Sequence, residues 1–148
     1  MDEKVRDIQE VKENTEAGEV QAVEEAEEVV KAERIRELLA HCTGSERVYP
    51  HLLGVRFTEG VKLMADECGA YWLIDLIASH QFKKHVRREP FQVWELRQCK
   101  TSPSWKAVCT DGNDNRITGQ RIEYSSFPLP EGIKLYCCDG VILLPSEY

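Results

Sequence analysis

Apolar residues recur at helical spacing in the first half of the chain and in strand-like runs in the last third. From about Val20 the helical pattern strengthens through Val23, Ala26 and Val30. Ile35, Leu38, Leu39 and Cys42 then follow the i, i+3, i+4, i+7 stripe of a helix facing a core. Gly44 is the expected stop. Upstream, residues 1–19 are polar and interrupted by Asn14, Thr15 and Gly18, with Ile8 and Val11 as the main apolar residues. They predict a frayed or weakly helical leader. Residues 43–57, with Gly44, Pro50 and Gly54, read as a connector. Thr58 is a good N-cap and Glu59 places an acid in the first turn, where the helix dipole favours it. Val61, Met64, Ala65 and Cys68 lie on one face of that helix, and Gly69 ends it. The next helix, Ala70 to about Gln81, carries Tyr71, Trp72, Leu73, Ile74, Leu76 and Ile77. Apolar on nearly every side, it is expected to be the buried central helix.

After Pro90 the pattern changes. Phe91 to Leu96 is rich in aromatic and β-branched residues, and Ser104 to Thr110 and Arg116 to Tyr124 follow as a second and third strand. Between these two, Asp111-Gly112-Asn113-Asp114-Asn115 is a cluster of turn formers. Pro128, Pro130 and Gly132 mark a loop before a fourth strand, Ile133 to Cys138. Asp139-Gly140 then makes a tight turn into a fifth, Val141 to Leu144. Helices followed by consecutive strands imply an α+β fold, with the N-terminal helices packed on one face of an antiparallel β-meander of about five strands. Residues 1–33 are expected to form an acidic helical extension, partly flexible, and 34–148 a single α+β domain.

Charge sharpens that division. Of the net −7, residues 1–30 hold eleven acids and three bases (−8), and the remainder holds fifteen acids and sixteen bases (+1). The near-neutral body argues against general nucleic-acid binding. No apolar run approaches the ~20 residues of a membrane-spanning helix. The start Met1-Asp2-Glu3-Lys4 lacks the apolar segment of a secretory signal, so a cytoplasmic location and reduced cysteines are expected. Cys137 and Cys138 would point to opposite faces of a strand. No C-x-x-C occurs and no His stands at finger spacing from a Cys pair, so neither metal nor cofactor is expected.

The segments Thr58-Glu59-Gly60-Val61, Gly69-Ala70-Tyr71-Trp72-Leu73-Ile74-Asp75, Phe91-Gln92-Val93-Trp94, Cys109-Thr110-Asp111-Gly112-Asn113 and Leu143-Leu144-Pro145-Ser146-Glu147-Tyr148 resemble an uncharacterised domain-of-unknown-function family. Its small proteins are met in bacterial, plasmid and phage genomes. The resemblance covers roughly Leu38 to Tyr148. It implies no catalytic residue, and its mobile-element setting implies a protein that binds and modulates a host factor or defence system.

Several residues are candidates for binding or chemistry. Asp75 interrupts the apolar helix, with Tyr71 four residues before it and Ser79 four after, all on one face. That arrangement suits either a carboxylate with a raised pKa in a cleft or a structural one bonding a neighbouring strand or loop. His80 and His85 flank Lys83 and Lys84, with Arg87 and Arg88 next, a basic patch able to hold phosphate or an acidic partner, or simply a solvated loop. Trp94 and Trp105 on adjacent strands are either sheet core or, if exposed, a recognition surface. Ser146-Glu147-Tyr148 is expected to pack back on the domain, near the patch at 83–88. Gly-x-Ser-x-Gly, Walker-type loops and His-Glu-x-x-His are all absent from the sequence. The expected function is therefore a protein-binding or modulator module. The alternatives are a small enzyme or ligand-binding domain using Asp75 with His80 and the basic segment, and a structural protein that self-assembles through its N-terminal helix.

Overall fold

The computed structural model describes the backbone of residues 2–44 and 46–148, and the side chains of 17–44 and 46–148. The chain divides into two compact units, Met1–Arg34 and Ile35–Tyr148. Helix α1, Asp2–Ala40, runs without a break and includes residues 2–19, expected to be frayed or weakly helical. Glu, Ala, Lys, Arg and Gln dominate this stretch and are strong helix formers; they outweigh Gly18, which costs about 1 kcal/mol against Ala. Side chains 17–31 are all exposed, the valines Val20, Val23, Val29 and Val30 included. The helix ends at Ala40, four residues before the expected stop at Gly44.

In the second unit the sheet has seven strands, not about five. They are β1 Val48–Pro50, β2 Arg56–Thr58, β3 Phe91–Gln98, β4 Trp105–Thr110, β5 Arg116–Ile122, β6 Ile133–Cys138 and β7 Val141–Leu143, in the order β1-β2-β7-β6-β3-β4-β5. The stretch 43–57, expected to be a connector, supplies the two additional strands. Each has three residues, too few for alternation to register in the sequence. Their pairing comes from a distance: β2 lies parallel to β7, with Phe57 opposite Ile142. The other pairings are antiparallel. Only β3-β4-β5 is a true meander. The chain then crosses to the other side of β3, where β6 pairs with it from Phe91↔Cys138 to Leu96↔Ile133. Phe127 and Leu129 are buried in this crossing, and Phe127 meets Trp105 edge-on at 5.8 Å. It ends at Gly132, where φ is +76° and a β-carbon would fall 1.7 Å from the Leu96 carbonyl oxygen, so a side chain is excluded.

Helices α2 Glu59–Cys68 and α3 Tyr71–His80, with the single turn α4 Lys84–Arg87, complete the body. The caps of α2 are those the sequence announces. Thr58 Oγ1 accepts from the Val61 N–H at 3.3 Å, and Gly69 closes the helix in the left-handed region at φ 60°. Val61, Met64, Ala65 and Cys68 of α2 and Leu73, Ile74, Leu76 and Ile77 of α3 are buried, with Trp94, Leu96, Ala107, Cys109, Leu135, Cys137 and Ile142 of the sheet. Gln92, Trp94 and Leu96 alternate along β3 and share the covered face, whereas Phe91, Val93, Glu95 and Arg97 project from the other. No described helix is long and apolar enough to cross a membrane.

Candidate functional site

Helix α3 sorts the candidate residues onto different sides. Tyr71, Asp75 and Ser79 form an exposed face, as their four-residue spacing requires, and Asp75 is 67% exposed rather than set in a cleft. Its carboxylate bonds a neighbouring turn: Oδ1 lies 2.6 Å from Nε2 of His51, between β1 and β2. The Leu53 N–H donates to Nδ1 of the same ring at 3.0 Å. With that nitrogen accepting, Nε2 carries the proton and donates to Asp75. Both ring nitrogens are thus engaged, and the pair ties the turn to the helix.

Tyr71 turns back to α2, where its hydroxyl makes a short hydrogen bond to Asp66 Oδ1. The Lys62 ammonium donates to Oδ2 of the same carboxylate at 2.9 Å. The Tyr71 hydroxyl, followed by Lys62, holds the Asp66 carboxyl below the usual range, and the carboxylate in turn raises the Tyr71 phenol and Lys62.

His80 leaves the basic patch altogether. It is buried under the sheet, with Nε2 2.9 Å from Gln120 Oε1 and its ring 5.4 Å from that of Trp94. Asp75 and His80 are therefore not brought together. Trp94 is 2% exposed and Trp105 3%, both core rather than recognition surface. Lys83, Lys84, His85, Arg87 and Arg88 are exposed around α4, whose Val86 is buried. Arg87 and Arg88 border a depression of about 470 Å³ together with Phe82, Pro90 and Leu53.

What fixes α4 to the sheet is Gln92, which sequence reasoning passed over. Its amide donates to Gln81 Oε1, the Val86 carbonyl and the Glu89 carbonyl at 2.9–3.2 Å. Its oxygen accepts from Gln81 Nε2 at 2.8 Å and the Trp94 indole N–H at 3.0 Å. The available signal was position: Gln92 stands in phase with Trp94 and Leu96, so a polar amide had to be buried and satisfied.

The tail packs back on the domain, but not beside residues 83–88. Glu147 Oε1 accepts from Thr58 Oγ1 at 2.7 Å and from the Leu144 N–H at 3.0 Å, at the N-terminus of α2. Gly60 makes room for it, since a β-carbon there would lie 2.5 Å from Oε1. Ser146 Oγ donates to the Cys42 carbonyl at 2.6 Å.

A second depression, of about 750 Å³, follows the solvent side of α3. Trp72, Asp75, Leu76 and Ser79 line it at helical spacing, and Gln120, Arg121, Ile122, Tyr124, Ser125 and Ser126 line it from the end of β5 onward. Trp72 and Ile122 are half-buried, and Tyr124 is 77% exposed. Strand β5 is the sheet's last, so its outer edge pairs with no described strand. The opposite edge, β1, has three residues and ends on Pro50, features that blunt an edge. Strand β5 has seven residues and no proline.

The described cysteines are all free. Burial pushes the Cys109 and Cys137 thiols up to about 12, so they are inert neutral groups at physiological pH. Among the described residues no group of three or more His, Cys, Asp or Glu is placed to hold a metal ion. Neither a curated protein nor a solved structure matches this chain. One family model does, over residues 33–148, and the chain therefore belongs to the family of unknown function DUF6876.

Proposed function

We propose that the body 35–148 is a peptide-binding module in which an extended segment of a partner protein adds to the free edge of β5 and lays its side chains along α3. The observation that carries this reading is the seven-residue, proline-free edge beside a depression walled by one helical face. In strand addition the main-chain hydrogen bonds supply affinity, and pockets for alternate side chains supply specificity. Trp72, Leu76, Ile122 and Tyr124 offer apolar and aromatic anchors, while Asp75 and Ser79 offer polar contacts at the rim. Such a module suits a small protein that modulates another protein, the role implied by the family resemblance.

The test is to pan a displayed library of random peptides on the full chain, synthesise the enriched sequences and titrate them. Enriched peptides should be mainly apolar with strand-like alternation. They should shift the backbone amide resonances of Arg116–Ile122 and lose about tenfold or more in affinity on Trp72→Ala. Peptides that bind without disturbing those amides, and equally well after Trp72→Ala in a folded variant, would rule the site out.

A further inference from the structure

The sheet face opposite α2 and α3 carries different chemistry. Register sets Arg97, Lys106 and Arg121 side by side across β3, β4 and β5: Arg97 pairs with Lys106, and Lys106 with Arg121. All three are exposed. With Lys100 and the hydroxyls of Thr101, Ser102 and Ser104 they border a depression of about 570 Å³ that contains four cations and no acid. In the next row Lys134 stands opposite Glu95. The Arg116 guanidinium lies over Gly119, where a β-carbon would fall 2.6 Å from it. Glu95, which accepts from Arg97 at 2.6 and 2.9 Å, is the one acid among the outward residues of β3–β6. Like charges directly opposite one another across strands repel. A row of three is therefore not something the fold's own stability calls for, whereas a polyanion laid across it would turn the repulsion into attraction.

The same face ends in aromatic rings. Phe91 meets Tyr136 at 5.0 Å and Tyr148 at 5.4 Å, and Tyr148 is 78% exposed. Phe91 and Arg97 are six residues apart on β3, so the rings and the cationic row stand about 20 Å apart along the strand.

We propose that this open face binds single-stranded nucleic acid, with Arg97, Lys106 and Arg121 on the phosphates and Tyr148 stacking a base. Sheet surfaces hold single strands in this way, by cations tracking the backbone and aromatic rings receiving unstacked bases. An acidic peptide or an inorganic polyphosphate would satisfy the cations and leave the rings without a role. The surface meets the groove along α3 only at Arg121, which borders both; Arg97, Lys106 and Tyr148 lie outside that groove, so loss of oligonucleotide binding on changing them is distinguishable from loss of the peptide reading.

The experiment titrates the full chain into a fluorescein-labelled oligouridylate and the matching oligothymidylate across a salt series, reading anisotropy. Binding should weaken steeply with salt. The triple variant Arg97→Ala/Lys106→Ala/Arg121→Ala should bind at least about tenfold more weakly and show a log–log salt slope smaller by about 2, since each phosphate contact on a single strand contributes about 0.7. Tyr148→Ala should weaken binding about tenfold with the slope unchanged. Because the three cations are exposed, the triple variant should melt no lower than the parent, which separates loss of binding from loss of fold. No oligonucleotide binding at low salt would overturn the proposal. So would a triple variant that binds like the parent, or polyglutamate and polyphosphate binding as tightly as the oligonucleotides with no effect of Tyr148→Ala.

Discussion

Gly60→Ala should destabilise this protein, against the usual sign for a helical glycine. Exchanging Gly for Ala within a helix ordinarily stabilises by about 1 kcal/mol. Here the new β-carbon would sit 2.5 Å from Glu147 Oε1 and 2.7 Å from its carboxyl carbon, so the carboxylate must leave. It would surrender its bonds to Thr58 Oγ1 and the Leu144 N–H, and its place at the positive end of α2. Hydrogen bonds to charged groups contribute about 1.5–3 kcal/mol and the dipole about 0.3–1 kcal/mol. Rehydration of the freed carboxylate offsets part of this, which leaves a loss of about 3 kcal/mol and a net destabilisation of about 2 kcal/mol once the helix propensity gain is included. In a Glu147→Ala background the space above Gly60 is empty, and Gly60→Ala should then stabilise by up to about 1 kcal/mol. The two positions should therefore couple by about 3 kcal/mol in a double-mutant cycle. Urea unfolding followed by tryptophan fluorescence measures this, because Trp72, Trp94 and Trp105 all lie in the second unit. A Gly60→Ala effect of the same sign and size in both backgrounds would refute the interlock between the start of α2 and the tail.

Two further outcomes follow from the interior. Keeping the Cys109 and Cys137 thiols neutral stabilises the fold fully below the ordinary thiol value of 9.0, and this is lost as pH rises toward about 12; at mildly alkaline pH iodoacetamide should label Cys99 and Cys138 well before Cys109 and Cys137, and equal labelling rates in the native protein would count against burial as the cause. Gln92→Leu should cost about 2–4 kcal/mol in urea unfolding by orphaning the Trp94 indole N–H and removing the donor to Gln81 Oε1 and the Glu89 carbonyl, and it should loosen α4 first, seen as faster amide exchange at Val86 to Glu89; unchanged exchange there would show that α4 is held by something else.

Elements whose signal is local were readable along the chain. The caps of α2 at Thr58 and Gly69 each rest on one residue's conformational preference, and the buried side of α3 is written in its own spacing. What escaped was set by partners far away in sequence. Strands β1 and β2 are too short to show a period and exist because β7, more than eighty residues on, offers an edge. Asp75 among apolar neighbours suits either a cleft carboxylate or one bonding a neighbouring strand or loop; it is 67% exposed and bonds a turn, and spacing within α3 does not decide between the two. Its partner His51 lies on a turn that no periodicity marks. Proximity in sequence groups His80 with Lys83 and Lys84, although one step around the helix takes it under the sheet. The segments Thr58-Glu59-Gly60 and Ser146-Glu147 stood out separately in the sequence, and the structure shows them to be two halves of one contact.

Charge gives the sharpest case of averaging that hides a surface. Residues 31–148 contain fifteen acids and sixteen bases, a net of +1, and that near-neutrality argues against general nucleic-acid binding. Neutrality constrains only the sum. Strand periodicity distributes the charges by face: Arg97, Lys106, Arg121 and Lys134 fall on the outward parity of β3–β6 against Glu95 alone. Many of the balancing acids occur elsewhere, such as Glu59 and Asp66 of α2, Asp75 of α3 and Glu147 beside Thr58. A binding partner meets a face and not a total. For ions beyond about 10 Å at moderate salt the acids elsewhere on the body are largely screened, so the potential over the open sheet is set by the row that register assembles there.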